Sequence, residues 1–211
     1  CQFIYASSAS VYGSGNKFKE LKENENPINL YAYSKFKFDQ LVRKELDQEH
    51  GQIVGLRYFN VYGPHEEHKG TMASVAYHLH NQLKKSDQIK LFEGSDGYEN
   101  GEQRRDFIYV SDVVKVNLWF LCHKDISGIF NVGTGKSQTF NEVAQAVIDW
   151  NKKGEIVYIP FPENLEGAYQ SYTEADITNL KEVGYEEEFL DVKQGVTDYL
   201  DKLESWPKNE P

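Results

Sequence analysis

Cysteine and methionine are scarce in these 211 residues, and no long apolar run interrupts them. Cys1 and Cys122 are too few for a disulfide framework or a thiolate metal site, so a reducing cytosol, and hence a cytoplasmic location, is expected. No stretch approaches the ~18 apolar residues of a membrane span, and no charged-then-apolar segment opens the given residues. Excess positive charge is also lacking. The 23 basic residues face 33 acidic ones, a net −10, which speaks against nucleic acid or an anionic membrane as a partner. What is present can build a core: hydrophobic residues make up 39% and aromatics 14%, which excludes wholesale disorder. The length fits one domain, or one large domain with an appended lobe.

Gln2-Phe3-Ile4-Tyr5-Ala6-Ser7-Ser8 reads as a buried strand running into small polar residues, an opening in mid-core that is expected of a piece of a longer chain. Strand and helix signals then alternate. The spacing predicts a helix over 31–49 with Phe38, Leu41, Val42 and Leu46 on its apolar face, and a strand over 52–59 ended by Gly63-Pro64. A helix over 71–85 would carry Met72, Val75, Ala76, Leu79 and Leu83 on one stripe. Strands are expected at 89–92, 106–110, 129–132 and 156–159, and helices at 140–151 and 191–204. Ser111-Asp112 reads as the cap of a further helix reaching Cys122. The acidic stretches Glu20–Glu25 and Glu186–Glu188 read as solvated surface. This alternation argues for a parallel α/β sheet covered on both faces.

The most informative spacing is Tyr31-Ala32-Tyr33-Ser34-Lys35. Residues four apart on a helix lie about 40° apart around the axis, so Tyr31 and Lys35 share a face. A phenol titrating near 10 is a poor base at neutral pH, and a nearby ammonium stabilises the phenolate. Such a Tyr can take a proton from a carbinol as hydride leaves, and return it on reduction. By itself the spacing is common and better fits an ordinary aromatic and lysine at the start of a surface helix. Ser8, at the end of the first strand, stands where ligands bind in doubly wound sheets, and its hydroxyl could meet the same substrate oxygen.

Tyr31–Lys35 together with Ser7-Ser8-Ala9-Ser10-Val11-Tyr12-Gly13, Arg57-Tyr58-Phe59-Asn60-Val61-Tyr62-Gly63-Pro64 and Arg105-Asp106-Phe107-Ile108-Tyr109-Val110-Ser111-Asp112 resembles the extended short-chain dehydrogenase/reductase family of nucleotide-sugar enzymes, the NAD-dependent epimerases and dehydratases. Within it the chain is similar to the ADP-heptose 6-epimerases, on Tyr62 to Leu79, Lys90 to Ser95, Val116 to Leu121 and Tyr158 to Pro162. The resemblance runs from about residue 2 to residue 203, departing mainly by extra residues in the loop 96–104. It implies the later part of a doubly wound, Rossmann-type parallel sheet, residues 1–64 and 106–140, with a smaller substrate-binding α/β lobe from 65–105 and 141–211. The family's amino-terminal strand, Gly-rich turn and helix, which cradle the cofactor pyrophosphate, would precede Cys1; without them the 211 residues are expected to be inactive.

The implied chemistry is inversion at C6 of the heptose in ADP-D-glycero-D-manno-heptose, toward lipopolysaccharide. The carbinol is oxidised to a transient ketone with NADP (or NAD) and re-reduced on the opposite face. The match carries over Tyr31 as acid/base, Ser8 as the orienting hydroxyl, Lys35 as cofactor-ribose ligand, and Lys69 as a second acid/base beside the cofactor. Asn60 would contact substrate and Val61 the nicotinamide. Thr71 and His78, seven apart on the expected helix, share an edge that suits a diphosphate. Phe92, Glu93, Gly94 and Ser95 would hold the adenosine side, Arg105 the phosphate oxygens, and Tyr169 would close over the nucleotide sugar. A homo-oligomer, pentameric in the family, is also implied. A 4-epimerase on another nucleotide sugar, or a truncated chain that only binds nucleotide sugars, remain alternatives.

Other motifs fail. Gly133-Thr134-Gly135-Lys136-Ser137 imitates a P-loop, but Phe130 stands at the first glycine position, so a strand-to-helix turn is expected. His65-Glu66-Glu67-His68 lacks metalloprotease spacing and a third ligand, so no metal is expected. Ser8-Ala9-Ser10 lacks the Asp-Glu pair that the family's sugar dehydratases place there.

Overall fold

The computed structural model describes residues 1–46, 48, 51–162 and 170–205. In chain order its strands are β1 (Phe3–Ser8), β2 (Ile53–Tyr58), β3 (Asn60–Tyr62), β4 (Gln88–Phe92), β5 (Arg104–Arg105), β6 (Phe107–Tyr109), β7 (Gly128–Val132), β8 (Gln138–Thr139) and β9 (Glu155–Ile159). The helices are α1 (Leu30–Glu45), α2 (Val75–Lys85), α3 (Val110–Cys122), α4 (Phe140–Asn151), α5 (Thr178–Glu182) and α6 (Val192–Ser205). The central sheet is parallel in the order β1-β2-β7. Its middle strand is apolar on successive residues because both its faces are covered, with Val54 and Leu56 fully buried. The pairs β3–β6 and β4–β9 are also parallel, and short β5 and β8 are antiparallel. The parallel α/β sheet is as the alternation predicts, and its doubly wound form as the resemblance implies.

Two larger cores flank β6. Its central Ile108 packs with Val54, Leu56, Val116, Phe120 and Val132, while Phe107 and Tyr109 turn to the core of α2, α4 and α6, with Leu79, Val147 and Leu200. The two-residue repeat of a strand thus lets one short element serve both. Helix starts are capped by side chains: Asn29 accepts from Ala32 N–H, Ser74 from Tyr77 N–H, and Thr139 and Glu142 form a reciprocal capping box.

Several local expectations are corrected. On α1, Phe38 and Leu41 are 40% and 58% exposed, and the inward face is Ala32, Asp39 and Val42. A carboxylate takes the core position because a buried cation waits there: Asp39 accepts from Arg57, Tyr5 and Ser7. Gly55 permits this, since a Cβ there would lie 2.4 Å from the Tyr5 hydroxyl. α1 ends at Glu45; Asp47, Glu49 and His50 lie outside the described residues. α2 starts at Val75, after a 3-10 turn over Glu67–Met72 in which Gly70 takes φ 55°, so Thr71 precedes the helix and Met72 is exposed. The Ser111-Asp112 cap is also overturned. α3 starts after Tyr109 with no side-chain cap, and Asp112 is buried, accepting from Leu190 N–H and Lys115. Finally, Glu20 and Glu25 are not a solvated surface. Glu20 accepts from Asn131 N–H, and the Glu25 side chain is sealed between Arg43 and Arg57.

Candidate functional site

The carboxyl ends of β1 and β2 and the short β3 converge on one side of the sheet, the region where parallel α/β folds bind ligands. Ser8 ends β1 and accepts from Ser10 N–H, so its hydroxyl oxygen is fixed at the strand tip. α1 follows with Tyr31 in its first turn and Lys35 one turn later. Lys35 Nζ donates to the Ala6 carbonyl at 2.8 Å and stands 5.8 Å from the centre of the Tyr31 ring. The predicted shared face is therefore present, anchored to β1.

A chamber of about 600 Å³ is lined by Ser8, Tyr31, Asn60, Val61, Glu66 and Lys69 among others. Tyr31, Asn60 and Lys69 are exposed, and Lys69 hangs from the 3-10 turn with its N–H donated to the Glu66 carbonyl. A second chamber of about 380 Å³ is lined by Thr71, His78, Gln82, Lys90, Phe92 and Gln103. Ala73, Val75 and Phe140 line both, so the two chambers adjoin along a common wall. Thr71 reaches the second chamber although it lies outside α2.

The remaining expected residues are placed differently. Glu93, Gly94 and Ser95 line neither chamber; Gln103 ties Glu93 and Ser95 to the second one, its amide donating to the Glu93 carbonyl and the Ser95 hydroxyl, both at 3.1 Å, and Gly94 N–H donates to Asn100. Arg105 is buried, donates to the Arg104 carbonyl, lies 5.9 Å from the centre of the Phe140 ring and lines neither chamber. Tyr169 lies outside the described residues.

Behind α1 lies a charged cluster that motif reading missed. Arg57 is fully buried; its Nε donates to Asp39 at 2.9 Å, one amine to the Tyr12 hydroxyl at 3.0 Å, and the other to Glu25. Burial works against this charge, but Tyr12, Asp39 and Glu25 outweigh it and raise the Arg57 pKa. Burial opposes the Glu25 charge too, and hydrogen bonds from Arg43 with the attraction of Arg57 nonetheless hold its carboxyl below the usual range. The signal that could have found the cluster is an Arg inside an otherwise apolar strand, Ile53-Val54-Gly55-Leu56-Arg57, which must bring acidic partners with it.

The Gly133-Thr134-Gly135 turn is likewise occupied. Asp106 accepts from Thr134 N–H, the Thr134 hydroxyl, Gly135 N–H and Ala175 N–H, and burial pushes its carboxyl up. Glu66, in the segment weighed for a metal, accepts from Ser74 and Tyr199. Among the described residues no group of three or more His, Cys, Asp or Glu is placed to hold a metal ion, and no described helix is long and apolar enough to cross a membrane.

Comparison with known proteins matches this arrangement to relatives. The chain is 58% identical over 205 residues to ADP-L-glycero-D-manno-heptose-6-epimerase of Alkalilimnicola ehrlichii, an alignment covering 97% of this chain and 64% of that protein. It is 54% identical over 217 residues to the protein of the same name from Thiobacillus denitrificans, covering 96% and 65%. The crystal structure of Helicobacter pylori ADP-L-glycero-D-manno-heptose-6-epimerase superposes with a TM-score of 0.82 at 33% identity, covering 98% of this chain and 61% of that one. The chain thus spans less than two thirds of the length of these relatives. The model of the NAD dependent epimerase/dehydratase family matches residues 1–133. With Tyr31, Lys35, Asn60 and Val61 inside the matched region and the fold shared with solved relatives, the chain belongs to the NAD dependent epimerase/dehydratase family.

Proposed function

We propose that the complete protein is a nucleotide-sugar epimerase that inverts C6 of the heptose in ADP-D-glycero-D-manno-heptose, giving ADP-L-glycero-D-manno-heptose for lipopolysaccharide. The observation that carries this reading is convergence. Ser8, Tyr31, Asn60, Val61 and Lys69 come from separate segments to one chamber, beside a second that holds Thr71, His78 and Phe92. The names of the relatives supply the sugar and the nucleotide.

The residues present fit part of a nicotinamide dinucleotide. Lys35 would hold the ribose from its seat on the Ala6 carbonyl, and the half-buried Val61 would flank the nicotinamide. No Gly-x-Gly-x-x-Gly turn occurs in the 211 residues, so that pyrophosphate-binding element is not among them. When bound, the dinucleotide (NADP, with NAD as the alternative) supplies a hydride acceptor and donor. Tyr31 Oη would take the C6 hydroxyl proton on one side as the carbinol is oxidised. Inversion turns the sugar, so the exposed Lys69 ammonium would give the oxygen its proton on the other side as the ketone is reduced, and exchange with water would return Tyr31 and Lys69 to their starting forms. The Ser8 hydroxyl and the Asn60 amide orient the substrate, and Thr71, His78 and Phe92 hold its ADP portion. Arg105, buried beside Phe140, would need a side-chain shift to meet a phosphate; Glu93, Gly94 and Ser95 would hold the adenosine side and Tyr169 would close over the nucleotide sugar.

Two lobes follow, the dinucleotide part from 1–64 and 106–140 and the substrate part from 65–105 and 141–211, in a cytoplasmic homo-oligomer such as a pentamer. The 211 residues alone are expected to be inactive. The test incubates the complete natural chain with ADP-D-glycero-D-manno-heptose and resolves the epimers by chromatography. Conversion that is abolished by Tyr31→Phe and strongly slowed by Lys69→Met supports the reading. Turnover only of a hexose at C4, indifferent to Lys69→Met, refutes it.

A further inference from the structure

Lys69 is exposed and carried by a 3-10 turn whose glycine, Gly70, has no heavy atom within 4 Å of where a Cβ would stand. Such a segment has little packing of its own to hold a side chain over a chamber. One buried group closes it at both ends. Glu66, only 3% exposed, precedes the turn, and its Oε2 accepts from Ser74 N–H at 2.8 Å while Oε1 accepts from the Ser74 hydroxyl at 2.5 Å. The Tyr199 hydroxyl, reaching from α6, donates to the same Oε1 at 2.9 Å. The Glu66 carbonyl accepts from Lys69 N–H itself. Ser74 caps α2, the helix that presents His78.

We propose that Glu66 is the positioning residue for Lys69, its carboxylate clamping the 66–74 loop so that the ammonium is presented to the first chamber. The inference rests on the proton role of Lys69 given above. Glu66 also lines the first chamber, which would allow it to act as an acid or base in its own right. Its hydrogen bonds argue otherwise: both oxygens already accept from donors of the fold, and the side chain is enclosed rather than presented. Glutamine can fill the same place, since its carbonyl can accept from Ser74 N–H while its amine donates to the Ser74 and Tyr199 hydroxyls, which rotate to accept. A clamp therefore survives Glu66→Gln, and a charge-based role does not.

The test compares Glu66→Gln and Glu66→Ala in the complete natural chain, each with and without Lys69→Met, by kcat and KM for epimerisation. Glu66→Gln is expected to retain turnover of the parent's order, whereas Glu66→Ala loses about 100-fold in kcat, the scale of a misplaced reacting group. Combined with Lys69→Met, Glu66→Ala is expected to add no further loss, because it acts through the side chain already removed. Equal damage from Gln and Ala, or losses that multiply in the double variant, overturns the proposal. Should Glu66→Ala fail to fold, Tyr199→Phe removes one donor from the clamp and is read the same way, with a smaller loss that also vanishes in the Lys69→Met background. A separate readout needs no turnover: the acylation rate of the Lys69 amine, followed by mass spectrometry, is expected to change in Glu66→Ala and stay at the parent value in Glu66→Gln. A parent-like rate in Glu66→Ala refutes the clamp. Parent-like epimerisation by Lys69→Met, with acylation still responding to Glu66→Ala, instead refutes the proton role of Lys69.

Discussion

Replacing Arg57 by methionine removes the one side chain that joins β2 to two carboxylates and to Tyr12. The consequences divide unequally. Glu25 keeps Arg43, at 2.5 and 2.8 Å, and Gln40 at 2.8 Å, so its charge stays compensated. Among the described residues Asp39 keeps only the hydroxyls of Tyr5 at 2.8 Å and Ser7 at 3.0 Å, with no cation bonded to it. One fully buried carboxylate is thus stripped of its counter-charge, a loss of about 3–5 kcal/mol. At about 2–4 °C per kcal/mol for a chain of this size, the melting temperature should fall by roughly 6–20 °C. Adding Asp39→Asn removes the stranded charge; its carbonyl accepts from one of the two hydroxyls and its amine donates to the other, which rotates to accept, so the double variant should recover most of the loss. Urea and thermal unfolding at neutral pH provide the measurement. A single variant within about 1 kcal/mol of the parent, or a double variant less stable than the single, refutes the reasoning. The acid limb gives a second check. The lowered Glu25 carboxyl stabilises the fold above its unfolded pKa, and that contribution is lost as pH falls through its folded value. Without Arg57 the lowering shrinks, and acid unfolding should begin at a higher pH.

Burial raises the Glu20 carboxyl to about 7, so it stabilises the fold while protonated and that contribution fades as pH climbs from the ordinary value of 4.5 through about 7. The melting temperature of the parent should therefore fall relative to Glu20→Gln between about pH 5 and 8; a constant offset across that window refutes it. Asp106→Asn turns an amine toward N–H donors of Thr134, Gly135 or Ala175 and should cost about 1–3 kcal/mol by urea unfolding, with an unchanged midpoint as the contrary result. Phe120 is fully buried, 4.8 Å from the Phe130 ring centre and 5.0 Å from that of Trp119, and Phe120→Ala should cost about 3–5 kcal/mol. A loss under about 1 kcal/mol would mean that the cavity collapses without penalty.

The alternation of strands and helices is legible because each element's periodicity is local. The apolar run of β2 and the stripe of Ala76, Leu79 and Leu83 on α2 identify themselves. Ser8, Tyr31, Lys35 and Asn60 are legible as candidates because their types and spacings are distinctive. Glu66 and Phe140 carry no such mark: the first reads as one more acidic residue in a polar loop, the second as an ordinary helix start. Asp39 misled the reading of α1, since an amphipathic wheel assigns a carboxylate to water and gives the core to Phe38 and Leu41.

The amino-acid sequence by itself determined the longer strands and helices, the parallel α/β class and the residue types from which a site could be made, but not the short β3, β5, β8 and α5. Only the tertiary structure decided which carboxylates are buried, which loop holds Lys69, and that two chambers meet at Phe140. The reason is the range of the forces. Turn, cap and periodicity preferences act between residues a few positions apart. Burying a charge is decided by whether its partner arrives, and Arg57 meets Asp39 and Glu25 across 18 and 32 positions of chain.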